Sequence, residues 1–209
     1  VLDIGSGWGG MAFYLASMFD VEVLGVTLSE EQHKLATQRA DALGLSDRVR
    51  FELKDYRDLD QPFDRIVSVG MLEHVGAPNF DTYFSQVNDL LTDDGVALIH
   101  TIMKRTIPAG SPGWIHKYIF PGGYIPSLSE VSSAVEKSGL TTCDLEIWRK
   151  HYADTLNHWW QRFESNRDKA AALYDERFCR MWEYYLRSCE AEFRYGGLAV
   201  GQFQLAKSP

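Results

Sequence analysis

Three alternating glycines, Gly5, Gly7 and Gly9, follow directly on the apolar run VLDI. A glycine-rich turn between a strand and a helix lets a nucleotide-like ligand come up against the main chain. Further along, the carboxylate Glu73 stands just past the apolar run FDRIVSV, and the imidazole His100 lies near the end of another, VALIHTI. Ligands of an open α/β sheet gather at the carboxyl ends of its strands, so both groups are offered there for proton transfer. A phenol, Tyr152, opens a stripe with Leu156, Trp159 and Phe163 at helical spacing. That spacing turns its hydroxyl inward, where it needs a hydrogen-bonding partner.

The elements that must position these groups follow a regular rhythm. VLDI, VEVLGVT, VRFEL, FDRIVSVG and VALIHTI read as strands. Between them run a helix over 8–19, a second helix that starts at Ser29 and stops at Gly44, and a third over 80–91 that ends at the DDG turn. Ser29 with Gln32 three residues on has the form of a capping box, and Gly44 that of a helix stop. Near-continuous apolar strands in βαβα order predict an α/β fold, a mostly parallel sheet with helices on both faces. After Met103 the rhythm breaks. The Pro- and Gly-rich stretch 108–126, studded with aromatics, predicts a long structured loop of the kind that serves as a lid. A helix over 127–137, a strand over 141–148, aromatic-rich helices over 152–165 and 170–194, and a last strand over 198–206 complete the chain. No linker or repeat divides it. Residues 1–209 are expected to form one domain, with a cofactor-binding half over 1–103 and the lid loop, helical insertion and final strands over 104–209.

Charge and cysteine usage narrow the function classes. A formal net charge of −8 argues against a nucleic-acid partner, which calls for a basic balance. No apolar run approaches the roughly 18 residues of a membrane span. Cys143, Cys179 and Cys189 form no Cys-x-x-Cys and read as reduced thiols of a cytoplasmic protein. Cys189 shares an apolar stripe with Phe178, Trp182, Tyr185 and Phe193, which reads as a buried, inert thiol lining a pocket. On the opposite face Arg177, Arg180, Arg187 and Arg194 project together, but Glu176–Arg180, Glu183–Arg187 and Glu190–Arg194 stand at i, i+4 and predict a solvated salt-bridge face. The dinucleotide fingerprint wants G-x-G-x-x-G and an acidic residue about 20 positions on. Here the second strand ends in Gly25-Val26-Thr27, with no acid, which disfavours an NAD-binding oxidoreductase.

The D-I-G-x-G-x-G form resembles the cofactor turn of S-adenosylmethionine-dependent methyltransferases. GVTLSEEQ, DYRDL, FDRIVSVGMLEHVG, LIHTI, KYIFPGGYIPS, HYADTL and ERFCRMWEYYLRSCEAEFR resemble, in order, motifs of the cyclopropane-fatty-acyl-phospholipid synthases, close relatives of the mycolic acid cyclopropane synthases. The likeness runs over essentially the whole chain. It implies a Rossmann-like class I methyltransferase fold with a seven-stranded sheet and a helical insertion before the last strand. It implies that S-adenosylmethionine lies against Gly5, Ser6, Gly7, Trp8 and Gly9. Thr27 and Gln32 would stand in for the usual acidic residue, beside Leu28, and Tyr56 would sit against the adenine next to Arg57. Glu73, His100, Ile102 and Tyr152 fall on positions that hold a bound bicarbonate ion, and Cys189 on a position near the lipid site.

The reaction so implied carries a methylene to the cis double bond of an unsaturated phospholipid acyl chain. Methyl transfer leaves a carbocation, and loss of a proton from the new methyl closes a cyclopropane ring. Such a site must be dry and rich in π-faces, and it must hold a base. If the fourth and fifth strands are neighbours, as in methyltransferases, their ends lie only about 5 Å apart, and His100 and Ile102 share one side by parity. Glu73 would then accept the bicarbonate O–H. The resemblance also admits a methyl-branched product or methylation of a small amine, and a non-catalytic lipid-binding module is a reading of another class. It implies a cytoplasmic enzyme bound peripherally at the inner membrane face, with Lys104, Arg105 and Lys117 near the headgroups. A homodimer through the aromatic insertion is compatible with it. Ser6 stands where many such proteins carry Cys, and Arg57 where some carry an acid. Val1 already lies in the first strand, so the covering segment and anion-holding cysteine of such proteins are expected upstream of it.

Overall fold

The structure, a computed structural model, describes residues 1–110 and 112–207. The first half alternates as the apolar runs imply: β1 (Leu2–Ile4), α1 (Gly10–Met18), β2 (Val23–Thr27), α2 (Glu30–Ala42), β3 (Val49–Leu53), β4 (Phe63–Val69), the one-turn helix α3 (Leu72–Val75), α4 (Phe80–Leu90) and β5 (Leu91–Lys104). There follow α5 (Gly113–Tyr118), α6 (Leu128–Lys137), β6 (Leu140–Trp148), α7 (His151–Glu164), α8 (Arg167–Leu173), α9 (Glu176–Tyr195) and β7 (Leu198–Lys207). The strands form one seven-stranded sheet in the order β3-β2-β1-β4-β5-β7-β6. Neighbours from β3 through β5 pair in parallel, and β7 runs antiparallel between β5 and β6. This is the Rossmann-like, mostly parallel sheet that the sequence implies.

Every residue of β1 and β2 is buried, as a parallel strand covered on both faces requires. On one face α4 and α6 pack Phe80, Phe84, Val87, Val131 and Val135 against Ile4, Ile66, Ile99 and Phe203. On the other, α1 and α2 bring Ala12, Phe13, Ala36 and Ala40 onto Val23, Val49 and Phe51. Farther along that face α7 and α9 set Leu156, Leu186 and Phe193 against Leu198 and Val200 of β7. The helical insertion is therefore docked on the sheet.

Four details depart from the sequence reading. The loop over 108–126 contains the short helix α5. The stretch 170–194 is two helices, broken at Tyr174 (φ −123°, ψ −101°) and restarted by Asp175, whose side chain accepts the Phe178 N–H at 2.6 Å. The capping box of α2 is half formed. Ser29 Oγ accepts from Gln32 N, but Ser29 N–H donates to Thr27 Oγ1, and that hydroxyl donates to Gln32 Oε1 at 2.9 Å. A complete box instead opens α6, between Ser127 and Glu130. Finally, the DDG segment is taken into β5, where the register against β4 shifts between Phe63 and Arg65.

Candidate functional site

At the carboxyl edge of β1 the chain turns back under α1. Gly5 N–H and Ser6 N–H both donate to Val26 O at 3.0 Å, which ties the turn to β2. Gly7 and Gly9 have φ of +54° and +83°, a region that favours glycine. A Cβ on Gly7 would meet nothing within 4 Å, so that face of the turn is open to a ligand; one on Gly9 would strike Phe13 and Phe51 at 2.6–2.8 Å. Thr27 at the tip of β2 is buried and its hydroxyl is held by Gln32, whereas Leu28 is 71% exposed and Trp8 50%. Tyr56 is only 8% exposed and packs edge-on to Tyr83, so little of its ring is free to face an adenine. Arg57 is folded onto Asp55, with Nη2–Oδ2 at 2.6 Å and Nε–Oδ1 at 3.0 Å. The carboxyl of Asp3, in β1, is buried with Oδ2 unpartnered, and burial pushes its pKa up to about 7.

Glu73 is positioned by a mismatch in strand length. The main chain of His100 faces β4, since Gly70 N–H donates to its carbonyl at 2.9 Å. Ile102, two residues on, faces the same way, but β4 has ended at Val69 and offers it no partner. Gly70 (φ +64°) turns the chain into α3, and Glu73 Oε1 accepts the Ile102 N–H at 2.6 Å. Its other oxygen, Oε2, is buried and has no partner. Burial raises the Glu73 pKa, against the opposing pull of the Ile102 N–H.

Around this carboxylate lies a cavity of about 520 Å³. Glu73, Ile102, Tyr152 and Cys189 all line it, with Trp114, Ile115, Phe120, Tyr185 and Phe193 among its aromatic and aliphatic walls. Tyr152 leans on Phe193 at 5.0 Å between ring centroids, and burial, with the nearby Glu73 and Cys189 adding to it, raises its pKa. Cys189 is half-buried, and burial pushes its thiol up to about 11, so it stays protonated. Trp159 of the Tyr152 stripe is exposed.

His100 is not brought into the cavity wall. It shares a face of β5 with Ile102 but sits two residues, roughly 6.6 Å, back from the rim, edge-on to Trp148. Burial lowers its pKa, which favours the neutral ring. Two residues that sequence reasoning missed do line the cavity: Tyr124, whose N–H donates to Glu73 O at 2.8 Å, and Glu192, which accepts the Gly197 N–H at 2.9 Å. Tyr124 Oη donates to Glu130 Oε1 at 2.6 Å, and burial together with that carboxylate raises its pKa to about 12. The signal for it was the Ser127-x-x-Glu130 box just downstream.

The expected salt-bridge face is rearranged. Only Glu190–Arg194 forms at i, i+4. Arg187 turns to Glu190, while Glu176 and Glu183 both go to Arg167 of α8. Of the three loop cations, Lys104 donates to Ala109 O and lies over the Tyr124 ring, and Arg105 donates to Gly196 O.

The family model for mycolic acid cyclopropane synthetase matches residues 1–203. Over 205 residues the chain is 46% identical to the cyclopropane-fatty-acyl-phospholipid synthase of Escherichia coli (strain K12), an overlap of 97% of this chain and 52% of that protein. It is 41% identical over 213 residues to the tuberculostearic acid methyltransferase UfaA1 of Mycobacterium tuberculosis (strain H37Rv), covering 99% of this chain and 50% of that one. The chain thus spans about half the length of these curated relatives. The crystal structure of the mycolic acid cyclopropane synthase CmaA1 complexed with SAH and CTAB superposes with a TM-score of 0.92 at 34% identity, over 99% of this chain and 77% of that chain.

Proposed function

The chain belongs to the mycolic acid cyclopropane synthetase family, and from that premise we propose that it is an S-adenosylmethionine-dependent methyltransferase that cyclopropanates unsaturated phospholipid acyl chains. The observation that carries this reading is Glu73, which lines a large aromatic cavity at the carboxyl edge of the sheet and has a buried, unpartnered Oε2. A bare lipid-binding pocket gains nothing from an orphaned carboxylate oxygen, which costs free energy to bury.

The residues present fit both implied small molecules. The open face of Gly7 admits a ligand against the turn, and the carboxylate of Glu73, a residue of the cavity lining, is an acceptor for a protic group. Bound there, S-adenosylmethionine supplies an electrophilic methyl and bicarbonate a base. Gly5, Ser6, Gly7 and Gly9 seat the donor, with Thr27 and Gln32 at the second strand. Glu73 and Tyr152 hold the anion near Ile102. As a carboxylate Glu73 would accept its O–H, which would raise the basicity of the anion. His100 stands behind Ile102 on β5, outside the cavity wall, as a ring whose burial favours the neutral form. Phe120, Tyr185 and Phe193 present π-faces where positive charge develops on the acyl chain, and their bulk keeps water from trapping it. Cys189 lines the acyl path as a neutral thiol.

The name of the 41% identical relative, a tuberculostearic acid methyltransferase, supports a second product from the same site, a methyl-branched chain. No helix among the described residues is long and apolar enough to cross a membrane. We place the protein in the cytoplasm, reaching its substrate from the bilayer surface. Incubation with methyl-labelled S-adenosylmethionine and vesicles of unsaturated phospholipid, followed by mass spectrometry of the acyl chains, tests the reading. Gain of a methylene with loss of alkene reactivity is the expected result. A branched methyl would select the second product, and label in soluble amines alone would overturn both.

A further inference from the structure

Glu73 rides on α3, a helix of four residues. So short a helix cannot satisfy its own carbonyls. In a longer helix the Glu73 carbonyl would take the N–H of Ala77, but the chain leaves the helix at Gly76 (φ +81°). Its donor comes instead from the loop before α6, where Tyr124 N–H reaches Glu73 O at 2.8 Å. The two residues before Tyr124 are Gly122 (φ +77°) and Gly123, which give that stretch of main chain little stiffness of its own. Something other than the local backbone must hold Tyr124 in place.

Its side chain does so. Tyr124 Oη donates to Glu130 Oε1 at 2.6 Å, and Glu130 Oε2 accepts both the N–H and the hydroxyl of Ser127 at 2.8 Å. Ser127 is buried, and Pro126 O accepts Lys104 N–H at 2.7 Å, which ties the segment to β5 two residues beyond Ile102. The Tyr124 ring packs on Phe80 at 6.1 Å between centroids and carries Lys104 Nζ over its face at 5.2 Å. Burial, with the Glu130 carboxylate adding to it, pushes the phenol up to about 12. Against the upward push of burial, the bonds from Tyr124 and Ser127 hold the Glu130 carboxyl below its usual range. A protonated donor thus faces an ionised acceptor, the stronger kind of hydrogen bond. The contacts close a circuit that runs from Ile102 to Glu73, Tyr124, Glu130 and Ser127, and back to β5 at Lys104.

We propose that the Tyr124 hydroxyl, anchored on Glu130, sets the position of the Glu73 carboxylate, so that Tyr124 and Glu130 are positioning residues for the reaction. Glu73 Oε1 has one N–H to meet at the end of β5, and an α3 free to tilt loses that meeting first. The bond to Ile102 is therefore where loss of the phenol is felt. Tyr124 lines the cavity, but its hydroxyl is spent on Glu130, so it acts through Glu73 and not on the substrate. The inference rests on the catalytic reading of Glu73 above and adds the device that aims the carboxylate.

Amide hydrogen exchange followed by nuclear magnetic resonance tests it on the whole chain, with neither cofactor nor lipid present. Tyr124→Phe removes the hydroxyl and keeps both the ring and the N–H. The Ile102 amide should then exchange about tenfold faster, while amides bonded between β5 and β7 exchange as in wild type. Turnover of S-adenosylmethionine with unsaturated phospholipid should fall by on the order of tenfold in kcat, with KM for either substrate within about twofold. Glu130→Ala should lose at least as much, and the double variant Tyr124→Phe, Glu130→Ala no more than Glu130→Ala alone. Lys137→Gln, which cuts the tie of α6 to Asp81 and leaves Tyr124 untouched, should match wild type in exchange and in turnover. Unchanged Ile102 exchange in Tyr124→Phe would overturn the proposal, as would faster exchange spread over all of β5. So would a loss confined to KM, additive losses in the double variant, or an equal loss in Lys137→Gln. If the exchange pattern is as expected but wild-type protein transfers no methyl, the catalytic reading falls and the aiming of Glu73 by Tyr124 stands.

Discussion

Glu73 does two jobs with two oxygens, and substitution can separate them. Oε1 satisfies a main-chain donor left over by the end of β4, and Oε2 is buried without a partner. Glu73→Gln keeps an acceptor for Ile102 N–H, so its stability should change by less than about 1 kcal/mol, while turnover falls by on the order of a hundredfold. Glu73→Ala should lose the activity and also about 1–3 kcal/mol of stability, because the Ile102 donor is then stranded. Urea unfolding alongside turnover distinguishes the two. Asp3 makes a different prediction. Its pKa is raised from a usual 3.8 to about 7 by burial, so between those values the unfolded chain releases a proton that the folded one keeps. Rising pH across that window should therefore destabilise the fold, by up to about 1.4 kcal/mol per unit, and the effect should level off above it. Asp3→Asn should flatten the slope in urea melts between pH 4 and 7. At this scale the sequence identified chemical groups by motif, but not their partners. That Glu73 meets Ile102 depends on where β4 stops against β5, and that Arg187 ignores Glu183 depends on Arg167 arriving from another helix. Neither is a local property of the chain.

The glycine turn shows at the scale of an element how one spacing serves two purposes. Gly7 is open above and Gly9 is packed below, yet both need positive φ. Gly7→Ala should lose about 1 kcal/mol of stability through backbone strain, with a larger loss of donor affinity. Gly9→Ala should lose roughly 3 kcal/mol, because its methyl also collides with Phe13 and Phe51 beneath α1. Thermal melts paired with calorimetric titration of S-adenosylhomocysteine would show whether the two losses separate; equal stability losses would remove the distinction. The strands and the long helices were legible because their apolar residues recur at fixed periods over many positions. The one-turn α3 that carries Glu73 was not, since four residues hold no period. The gap between α8 and α9 was missed because no Gly or Pro marks it. The Asp175 cap was the one local sign there, and it was overridden by the run of aromatics on either side.

At the scale of the whole molecule, the last strand decides how the two halves relate. β7 is the final element in sequence, yet it sits inside the sheet between β5 and β6. It pairs with β5 from Val96 to Lys104, the strand that ends the cofactor-binding half, and its Leu198 and Val200 receive the helical insertion. We therefore expect residues 1–209 to unfold as one unit. Removing 104–209 would bare β5 from Val96 to Met103 as an apolar edge and strip cover from Ile99 and Met103, so a 1–103 fragment should aggregate. In the intact chain, five of the six tryptophans lie after residue 104, so their fluorescence reports chiefly on the second half, while far-ultraviolet circular dichroism reports on both. Urea transitions followed by the two signals should coincide. If the fluorescence transition came first by a clear margin, the insertion would be a separately folding part, and the cavity between it and the sheet would be an interface between two domains.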